Sequence, residues 1–391
     1  MTRPLLALPS DRPDEIFRAL REALGGGGPA VVPRDAASAG TTESWPAPGE
    51  TVPQNVALVI ETSGSTGVPK RVALSADALL ASAAASAGAM GGQGQWLLAL
   101  PAHYVAGAQV LVRSIAAETE PIVYGSGHFD PRRFAALAAA MTHDRRFVSL
   151  VPVQLGRLIE AAEAGDREVA DAVRRFDGIL VGGQALSETL RERAVAVGAR
   201  VIGTYGSSET AGGCVYDGVP IGSTVVREVE GALEIGGPVL SEGYLGDQAR
   251  TATAFHEADG HRWYRTGDLG RVGSDGRVTV LGRADNVIIS GGEKVLLDAV
   301  ERAVRSVEGF EHAVVVAAPD AEWGQVPLVA VGSLPTTTLA QLRAFVSARM
   351  GRAAAPAGIV ELGELPHLSS GKPDRVAIAR AAVALAMDGK A

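Results

Sequence analysis

Cysteine is almost absent from the sequence: Cys214 is the one cysteine among 391 residues. A single cysteine excludes an internal disulfide bond and a metal site built from several cysteines, and it fits a protein of the reducing cytoplasm. We interpret Cys214 as a small buried residue. No signal peptide is predicted, because the apolar residues near Met1 are followed at once by charged residues and by no small-residue cleavage site.

Long hydrophobic runs and clusters of positive charge are lacking as well. No apolar run approaches the roughly 18 residues that a membrane span needs, so a cytoplasmic protein without stable membrane insertion is expected. The sequence has 36 basic and 44 acidic residues and a net charge of −8. Because no dense basic stripe is interleaved with aromatic residues, nucleic acid is not expected as a partner.

The hydrophobic pattern predicts two domains. Residues 25–53, with four consecutive glycines and several prolines, predict a loop or a loosely packed lead-in. From residue 56 to residue 205, short apolar runs alternate with helical stretches, two of which begin at Asp130 and Ser187. This alternation predicts an α/β domain with mainly parallel sheets. A small β-rich module follows after Gly212, and a compact α+β domain begins near Asp285, which gives domains of residues 1–284 and 285–391.

A loop suited to phosphate follows the first apolar run. Residues 62–70 read Thr-Ser-Gly-Ser-Thr-Gly-Val-Pro-Lys, in which two glycines allow close backbone approach, four hydroxyls add donors and the lysine adds positive charge. It is not a Walker A loop, whose lysine directly follows the second glycine. The alternative is a flexible surface loop. The candidate phosphate-binding residues are Thr62, Ser63, Gly64, Ser65, Thr66, Gly67 and Lys70.

Two later loops carry further candidate groups. Residues 204–210, Thr-Tyr-Gly-Ser-Ser-Glu-Thr, follow a predicted strand and offer an aromatic ring, hydroxyls and a carboxylate for a base, a phosphate and Mg²⁺. Residues 264–270, Tyr-Arg-Thr-Gly-Asp-Leu-Gly, offer a carboxylate suited to two neighbouring sugar hydroxyls. Either loop alone could be an ordinary turn. Ligands of open α/β sheets gather beyond the carboxyl ends of strands, where residues 62–70 and 205–209 fall.

In their amino-acid sequences and in their order along the chain, these loops resemble the motifs of the acyl-adenylate-forming enzymes. That family includes acyl- and aryl-CoA ligases, peptide-synthetase adenylation domains and luciferases. The resemblance runs from about residue 56 to residue 375 and includes residues 282–285, Gly-Arg-Ala-Asp, and 370–372, Ser-Gly-Lys. It implies that ATP converts a carboxylate to an acyl-adenylate, releasing pyrophosphate, and that a thiol then attacks. No carrier-protein serine motif is fused to the chain, which favours coenzyme A as the thiol.

The resemblance also implies roles for the matching residues in binding ATP. The loop of residues 63–70 holds the β- and γ-phosphates. Ser208, where the family usually has threonine, contacts the α-phosphate, and Glu209 coordinates Mg²⁺. Tyr205 lies against adenine in a pocket that is also lined by Gly182, Gly183 and Gln184, and the ribose hydroxyls are bound by Asp268 and Arg283.

Catalysis is implied to depend on a lysine that moves. Lys372 bridges the substrate carboxylate and the α-phosphate, stabilising charge that builds in adenylation. It must then leave for thioester formation, so Asp285 is expected as the hinge of a mobile C-terminal domain. His103 matches the stretch that borders the acyl pocket, either in a pocket role or as a hydrogen-bonded structural residue. The catalytic candidates are Lys372, Glu209, Ser208 and His103.

Residues 208–218 suggest which carboxylic acid is the substrate. Their amino-acid sequence most resembles that of the o-succinylbenzoate-CoA ligases of menaquinone biosynthesis. Such an aromatic dicarboxylate needs a flat slot and polar groups, for which the candidates are His103, Gln184, Ser207, Gly212 and Gly213. Three alternatives stay open: another aryl- or acyl-CoA ligase, a non-catalytic acyl-adenylate or coenzyme A binding protein, and a phosphotransferase that forms ADP. A homodimer is compatible with the sequence, although the region before the phosphate loop is shorter than usual for the family.

Overall fold

The computed structural model describes residues 1–35, 45–47, 49–62, 69–367 and 373–388. The helices of this part of the chain are α1 (Pro13–Leu24), α2 (Ala76–Ala89), α3 (Val105–Ala116), α4 (Pro131–Ala139), α5 (Pro152–Glu163), α6 (Arg167–Arg174), α7 (Glu188–Val197), α8 (Gln248–Ala254), α9 (Leu297–Arg305), α10 (Leu339–Met350) and α11 (Arg375–Asp388). None of these described helices has the length and apolar character that a membrane crossing requires.

The strands alternate with the helices and complete an α/β fold. They are β1 (Thr2–Pro9), β2 (Ala30–Arg34), β3 (Thr51–Pro53), β4 (Val56–Thr62), β5 (Lys70–Ser75), β6 (Gln95–Leu98), β7 (Ile122–Val123), β8 (Arg146–Leu150), β9 (Gly178–Val181), β10 (Val201–Ser207), β11 (Gly212–Tyr216), β12 (Val219–Pro220), β13 (Val225–Val229), β14 (Ala232–Gly236), β15 (Gly243–Tyr244), β16 (Phe255–Ala258), β17 (His261–Val272), β18 (Val278–Arg283), β19 (Val287–Ser290), β20 (Glu293–Leu296), β21 (Val314–Asp320), β22 (Gly324–Val331) and β23 (Gly358–Glu361).

Two sheets carry the loops of interest. The first has the order β15-β5-β4-β2-β1-β3 and the second the order β12-β11-β10-β9-β8-β6-β7. In the second sheet β6 to β10 pair in parallel, whereas β11 is antiparallel to β10. Parallel strands need crossover helices, and α3 to α7 supply them. The predicted α/β class is confirmed, although the first sheet mixes parallel and antiparallel pairs.

The helix starts that the sequence predicts at Asp130 and Ser187 are both present. The Asp130 side chain accepts a hydrogen bond from the Arg133 backbone N–H, with Pro131 in the first turn of α4. The Ser187 side chain does the same for Leu190 at the start of α7. These side chains satisfy backbone donors that a helix leaves unpaired at its N-terminus.

The prediction of loop across residues 25–53 was wrong for β2 and for β3, which pairs antiparallel with β1. In β2, Ala30, Val31 and Val32 are fully buried, and the strand pairs in parallel with β1 on one side and β4 on the other. The neighbouring glycines and prolines masked a short apolar run that is long enough for one buried strand. The first sheet is therefore continuous from β4 to the N-terminal strand.

The chain divides into two compact units. The first comprises Met1–Arg227, Glu234–Thr266 and Val272–Val278, and the second Glu228–Leu233, Gly267–Arg271 and Thr279–Ala391. A sheet of order β13-β14-β17-β16, with β18 on β17, corresponds to the predicted β-rich module.

The second unit contains the α+β fold expected from the sequence. Its sheet has the order β20-β19-β22-β21, with β23 paired to β22. Alternate residues of β21 enter different cores: Val315 packs in the cluster that includes α9 and α10, and Val314 and Val316 pack in the cluster that includes α11. Since side chains of a strand point to opposite faces, both faces of this sheet are covered.

Candidate functional site

The turn that carries Glu209 is held rigidly at the end of β10. A 3-10 helix of Ser208–Thr210 follows the strand, and all three of its residues are buried. The Thr210 hydroxyl accepts a hydrogen bond from the Ser207 backbone N–H at 2.9 Å and donates one to the Gly212 carbonyl at 2.8 Å. The predicted Mg²⁺ ligand and the predicted α-phosphate contact, Ser208, thus lie on a fixed turn.

Gly206 is required where this turn leaves the sheet. The pairing of β10 with β11 shifts register between Tyr205 and Gly206. A Cβ atom at Gly206 would lie 2.1 Å from the Gly212 carbonyl oxygen, so a side chain has no room. The close approach of these two strands sets the position of Tyr205, which is half-buried on β10 opposite Val215.

The buried carboxylate of Glu209 contacts a residue that sequence reasoning missed. The Tyr244 hydroxyl donates a hydrogen bond to Glu209 Oε1 at 2.8 Å. Burial raises the pKa of Tyr244 well above its usual range, and the Glu209 charge adds to this effect. Tyr244 is only 7% exposed. No local pattern around Tyr244 indicated this role, since its partner lies 35 residues away in the sequence.

One end of the predicted phosphate loop, Lys70, lies near Tyr244. Thr62 and Lys70 are a register pair at the ends of β4 and β5, and β15 adds to the other edge of β5, where Tyr244 pairs with Val72. The Lys70 ammonium is 5.7 Å from the centre of the Tyr244 ring. Tyr244 therefore contacts Glu209 through its hydroxyl and lies near Lys70 through its ring. The remaining predicted loop residues, Ser63, Gly64, Ser65, Thr66 and Gly67, lie outside the described residues.

The predicted adenine-pocket residues follow β9, which is the parallel neighbour of β10. A Cβ atom at Gly182 would lie 2.4 Å from the Thr204 hydroxyl oxygen, so only glycine allows this approach. Gly183 adopts a φ of +81°, which favours glycine. Gln184 is half-buried. The carboxyl ends of β9 and β10 therefore bring these three residues to the sheet edge where Tyr205 lies.

His103 and the glycines after Glu209 belong to a neighbouring region. Both ring nitrogens of His103 are shielded from solvent and have no hydrogen-bond partner within the described ranges. Burial lowers the pKa of His103, partly offset by Asp35, so the ring is neutral at pH 7. Helix α3, which begins two residues later, packs against β11: a Cβ at Gly212 would lie 3.3 Å from Gln109 Cγ. The Ser207 hydroxyl is also buried without a partner among the described residues.

A separate set of charged residues lies in the second unit. The Arg283 guanidinium is 3.3 Å from Asp268 Oδ1 and binds both carboxylate oxygens of Asp285 at 3.2 Å. Gly267 adopts a φ of +74° and packs against this guanidinium. The Arg283 backbone N–H donates to Asp298 Oδ2 at 2.9 Å. Asp268, Arg283 and Asp285, predicted from two distant motifs, are therefore brought together. Lys372 lies outside the described residues.

The residues present fit an Mg²⁺ ion that is shared with nucleotide phosphates. The described part of the chain has no cluster of three or more His, Cys, Asp or Glu side chains that could hold a metal. Mg²⁺ at nucleotide sites is bound by one or two carboxylates plus phosphate oxygens and water. Glu209 offers one carboxylate, and the Tyr244 hydroxyl occupies only one of its two oxygens. The carboxylate oxygens of Glu209 are hard donors, which suit this way of binding Mg²⁺.

Family comparison agrees with the class of enzyme that these loops define. Residues 27–239 match the AMP-binding enzyme family, and residues 299–372 match the AMP-binding enzyme C-terminal domain. The chain belongs to the AMP-binding enzyme family. The sequence motifs predicted membership of this group of enzymes, and the family match confirms that prediction.

Individual relatives give a more specific comparison than the family match does. A probable 2-succinylbenzoate-CoA ligase of Mycobacterium tuberculosis (strain ATCC 25618 / H37Rv) is 37% identical over 93% of this chain and 94% of its own. The 2-succinylbenzoate-CoA ligase of Geobacillus sp. (strain WCH70) is 30% identical over 81% of this chain and 67% of its own. The structure of o-succinylbenzoate CoA synthetase from Bacillus subtilis, in complex with the acyl-adenylate intermediate OSB-AMP, is similar with a TM-score of 0.70 and 26% identity, covering 82% of this chain and 68% of that one.

Proposed function

We infer that this protein is an AMP-forming acid–thiol ligase that adenylates o-succinylbenzoate and transfers the acyl group to coenzyme A in menaquinone biosynthesis. The observation that carries the inference is the 37% identity to the M. tuberculosis ligase over nearly the full length of both chains. The geometry agrees with it, because a buried acidic turn, a lysine at the end of the phosphate loop and a glycine-lined sheet edge lie in one unit.

The proposed reaction has two steps and needs no reactant besides ATP, the acid and coenzyme A. A carboxylate oxygen of the acid attacks the α-phosphorus of ATP, the bond to the bridging oxygen breaks, and pyrophosphate leaves. The coenzyme A sulfur then attacks the acyl carbon, its proton passes to solvent, and AMP leaves. Lys70 and Ser208 are proposed to bind phosphate oxygens during the first step. Mg²⁺ at Glu209 would supply positive charge beside the leaving pyrophosphate.

Tyr205 is proposed to bind adenine, and Asp268 is proposed to bind the ribose hydroxyls. Tyr205 offers a half-buried ring for adenine next to Gly182 and Gly183. In the second unit, the Asp268 carboxylate is 17% exposed and faces Arg283, and its two oxygens can accept hydrogen bonds from two sugar hydroxyls. Replacing Asp268 by alanine would remove both acceptor oxygens.

The acyl group is proposed to lie near His103 and the glycines of β11. Gly212 and Gly213 pack closely against protein side chains: a Cβ would lie 3.3 Å from Gln109 Cγ at Gly212 and 3.1 Å from Thr204 Cβ at Gly213. These glycines fix the course of β11 beside the proposed acyl site, where an aromatic acid needs a flat, mostly apolar surface. The neutral ring of His103 and the Ser207 hydroxyl offer hydrogen bonds that the described residues leave unused, and Gln184 is the third candidate for the carboxylate that is not activated.

The two half-reactions are proposed to use different arrangements of the C-terminal domain, residues 285–391, with Asp285 as the hinge. Lys372 would bridge the acid and the α-phosphate in adenylation and leave before coenzyme A attacks. We further propose that the enzyme acts in the cytoplasm; light scattering at several concentrations would determine whether it forms the homodimer that its sequence allows.

Isotope exchange between pyrophosphate and ATP tests the first half-reaction. We expect exchange that depends on o-succinylbenzoate and on Mg²⁺ and that needs no coenzyme A. A non-catalytic binding protein gives no exchange with any acid, and a phosphotransferase forms ADP instead of AMP. Exchange with another carboxylic acid but not with o-succinylbenzoate would retain the mechanism and overturn the substrate.

A further inference from the structure

The contact between Tyr244 and Glu209 has a geometry that goes beyond packing. Glu209 is 6% exposed and Tyr244 is 7% exposed, and their 2.8 Å hydrogen bond joins the phenol to one carboxylate oxygen. A charged acceptor makes such a bond stronger than one between neutral groups. The bond fixes which oxygen of Glu209 is engaged.

Tyr244 itself is held from several directions. Its backbone N–H donates to the Thr251 hydroxyl at 2.9 Å, its strand pairs with β5, and its ring lies 6.1 Å from the ring of Phe255. The Lys70 ammonium approaches the same ring at 5.7 Å. The hydroxyl therefore has a fixed position from which it can orient the Glu209 side chain.

We propose that Tyr244 is a positioning residue that holds the Glu209 carboxylate in the orientation required to bind a divalent metal ion together with ATP. The inference rests on the proposed function, because it takes the metal–nucleotide complex as the ligand. Partners that orient metal ligands commonly change metal affinity by about 10- to 100-fold when they are removed. Tyr244 is assigned no contact with the nucleotide or the acid.

The experiment measures metal binding without turnover. Mn²⁺ is titrated into the protein in the presence of α,β-methylene-ATP, and free Mn²⁺ is followed by electron paramagnetic resonance. The variants are Tyr244→Phe, Glu209→Gln and the double variant. Tyr216→Phe is the matched control, since the Tyr216 hydroxyl is also buried, at 6% exposure, and forms a 2.7 Å hydrogen bond with Ser86. Thermal unfolding of each variant would show whether it is folded.

We expect Tyr244→Phe to weaken Mn²⁺ binding by about 10-fold or more, Tyr216→Phe to leave it unchanged, and the double variant to bind no more weakly than Glu209→Gln. A merely structural role for Tyr244 predicts equal effects of the two phenylalanine variants. Mn²⁺ affinity of Tyr244→Phe within twofold of the wild type would overturn the inference, and so would fully additive losses in the double variant.

Pyrophosphate exchange by the same wild-type preparation separates this inference from the proposed function. If the wild type catalyses exchange and Tyr244→Phe binds Mn²⁺ normally, only the positioning role is wrong. If the wild type catalyses no exchange with any acid, the proposed function fails, and the inference fails with it.

Discussion

Substituting Gly206 by alanine should disrupt the site through backbone contact alone. The added Cβ would lie 2.1 Å from the Gly212 carbonyl oxygen and 2.9 Å from Gly213 Cα, whereas real Cβ atoms keep at least 3.0 Å from such neighbours. The two strands must therefore separate by about 0.9 Å at the bulge between β10 and β11. Neither neighbour is a side chain that could rotate away, so backbone must move on both sides.

The cost follows from the size of that movement. Overpacking of this kind destabilises proteins by about 1–3 kcal/mol, which lowers the unfolding temperature by roughly 2–4 °C for each kcal/mol in a unit of this size. The movement also displaces Tyr205 and the turn that carries Glu209. A displacement of about 1 Å in positioning groups can reduce a rate by about 100-fold, and we expect a loss of that order in pyrophosphate exchange.

Differential scanning calorimetry and pyrophosphate exchange measure the two effects, with Gly156→Ala as the matched control. Gly156 lies in α5, and an added Cβ would meet nothing within 4 Å apart from its chain neighbours and the backbone of its own helix, so alanine there should stabilise the protein by about 0.5–1 kcal/mol. The reasoning is refuted if Gly206→Ala unfolds at the wild-type temperature and retains the wild-type exchange rate.

Three further predictions concern single side chains. Burial raises the pKa of the Cys214 thiol to about 12, so at pH 8 iodoacetamide should modify the folded protein about 1,000-fold more slowly than the unfolded chain; comparable rates by mass spectrometry would contradict this. Arg375→Ala should remove the 2.8 Å hydrogen bond to the buried Glu301 and lower the free energy of unfolding by about 1–3 kcal/mol. It should also accelerate hydrogen exchange in β21, whereas Arg380→Ala, which changes an exposed residue of the same helix, should have neither effect. Lys372→Ala should abolish adenylation but leave thioester formation from preformed acyl-adenylate largely intact, and equal loss of both half-reactions, measured separately, would argue against the two-state hinge.

Local patterns were sufficient for the elements that local chemistry determines. The helix starts at Asp130 and Ser187 follow from side chains that bind backbone donors three residues ahead. The buried state of Cys214 is confirmed, and the turn of Ser208–Thr210 follows the end of β10, where ligands of open α/β sheets gather. The order of the motifs was also sufficient to predict the family.

Long-range pairing could not be predicted from the same patterns. β2 is buried because β1 and β4 flank it, which composition rich in glycine and proline does not reveal. Tyr244 reaches Glu209 only because β15 adds to the edge of β5. By contrast, the family resemblance had already assigned Asp268 and Arg283 to one ribose, and these two side chains lie 3.3 Å apart in the second unit. Register between distant strands depends on tertiary packing, which no short motif encodes.

The most direct test of the central claim is release of AMP and pyrophosphate that depends on coenzyme A. The protein would be incubated with Mg-ATP and coenzyme A, and o-succinylbenzoate would be compared with benzoate, succinate and medium-chain fatty acids. The proposed function predicts selective turnover of o-succinylbenzoate, with its coenzyme A thioester and AMP formed in equal amounts. Turnover of another acid in preference, or no AMP with any of them, would contradict it.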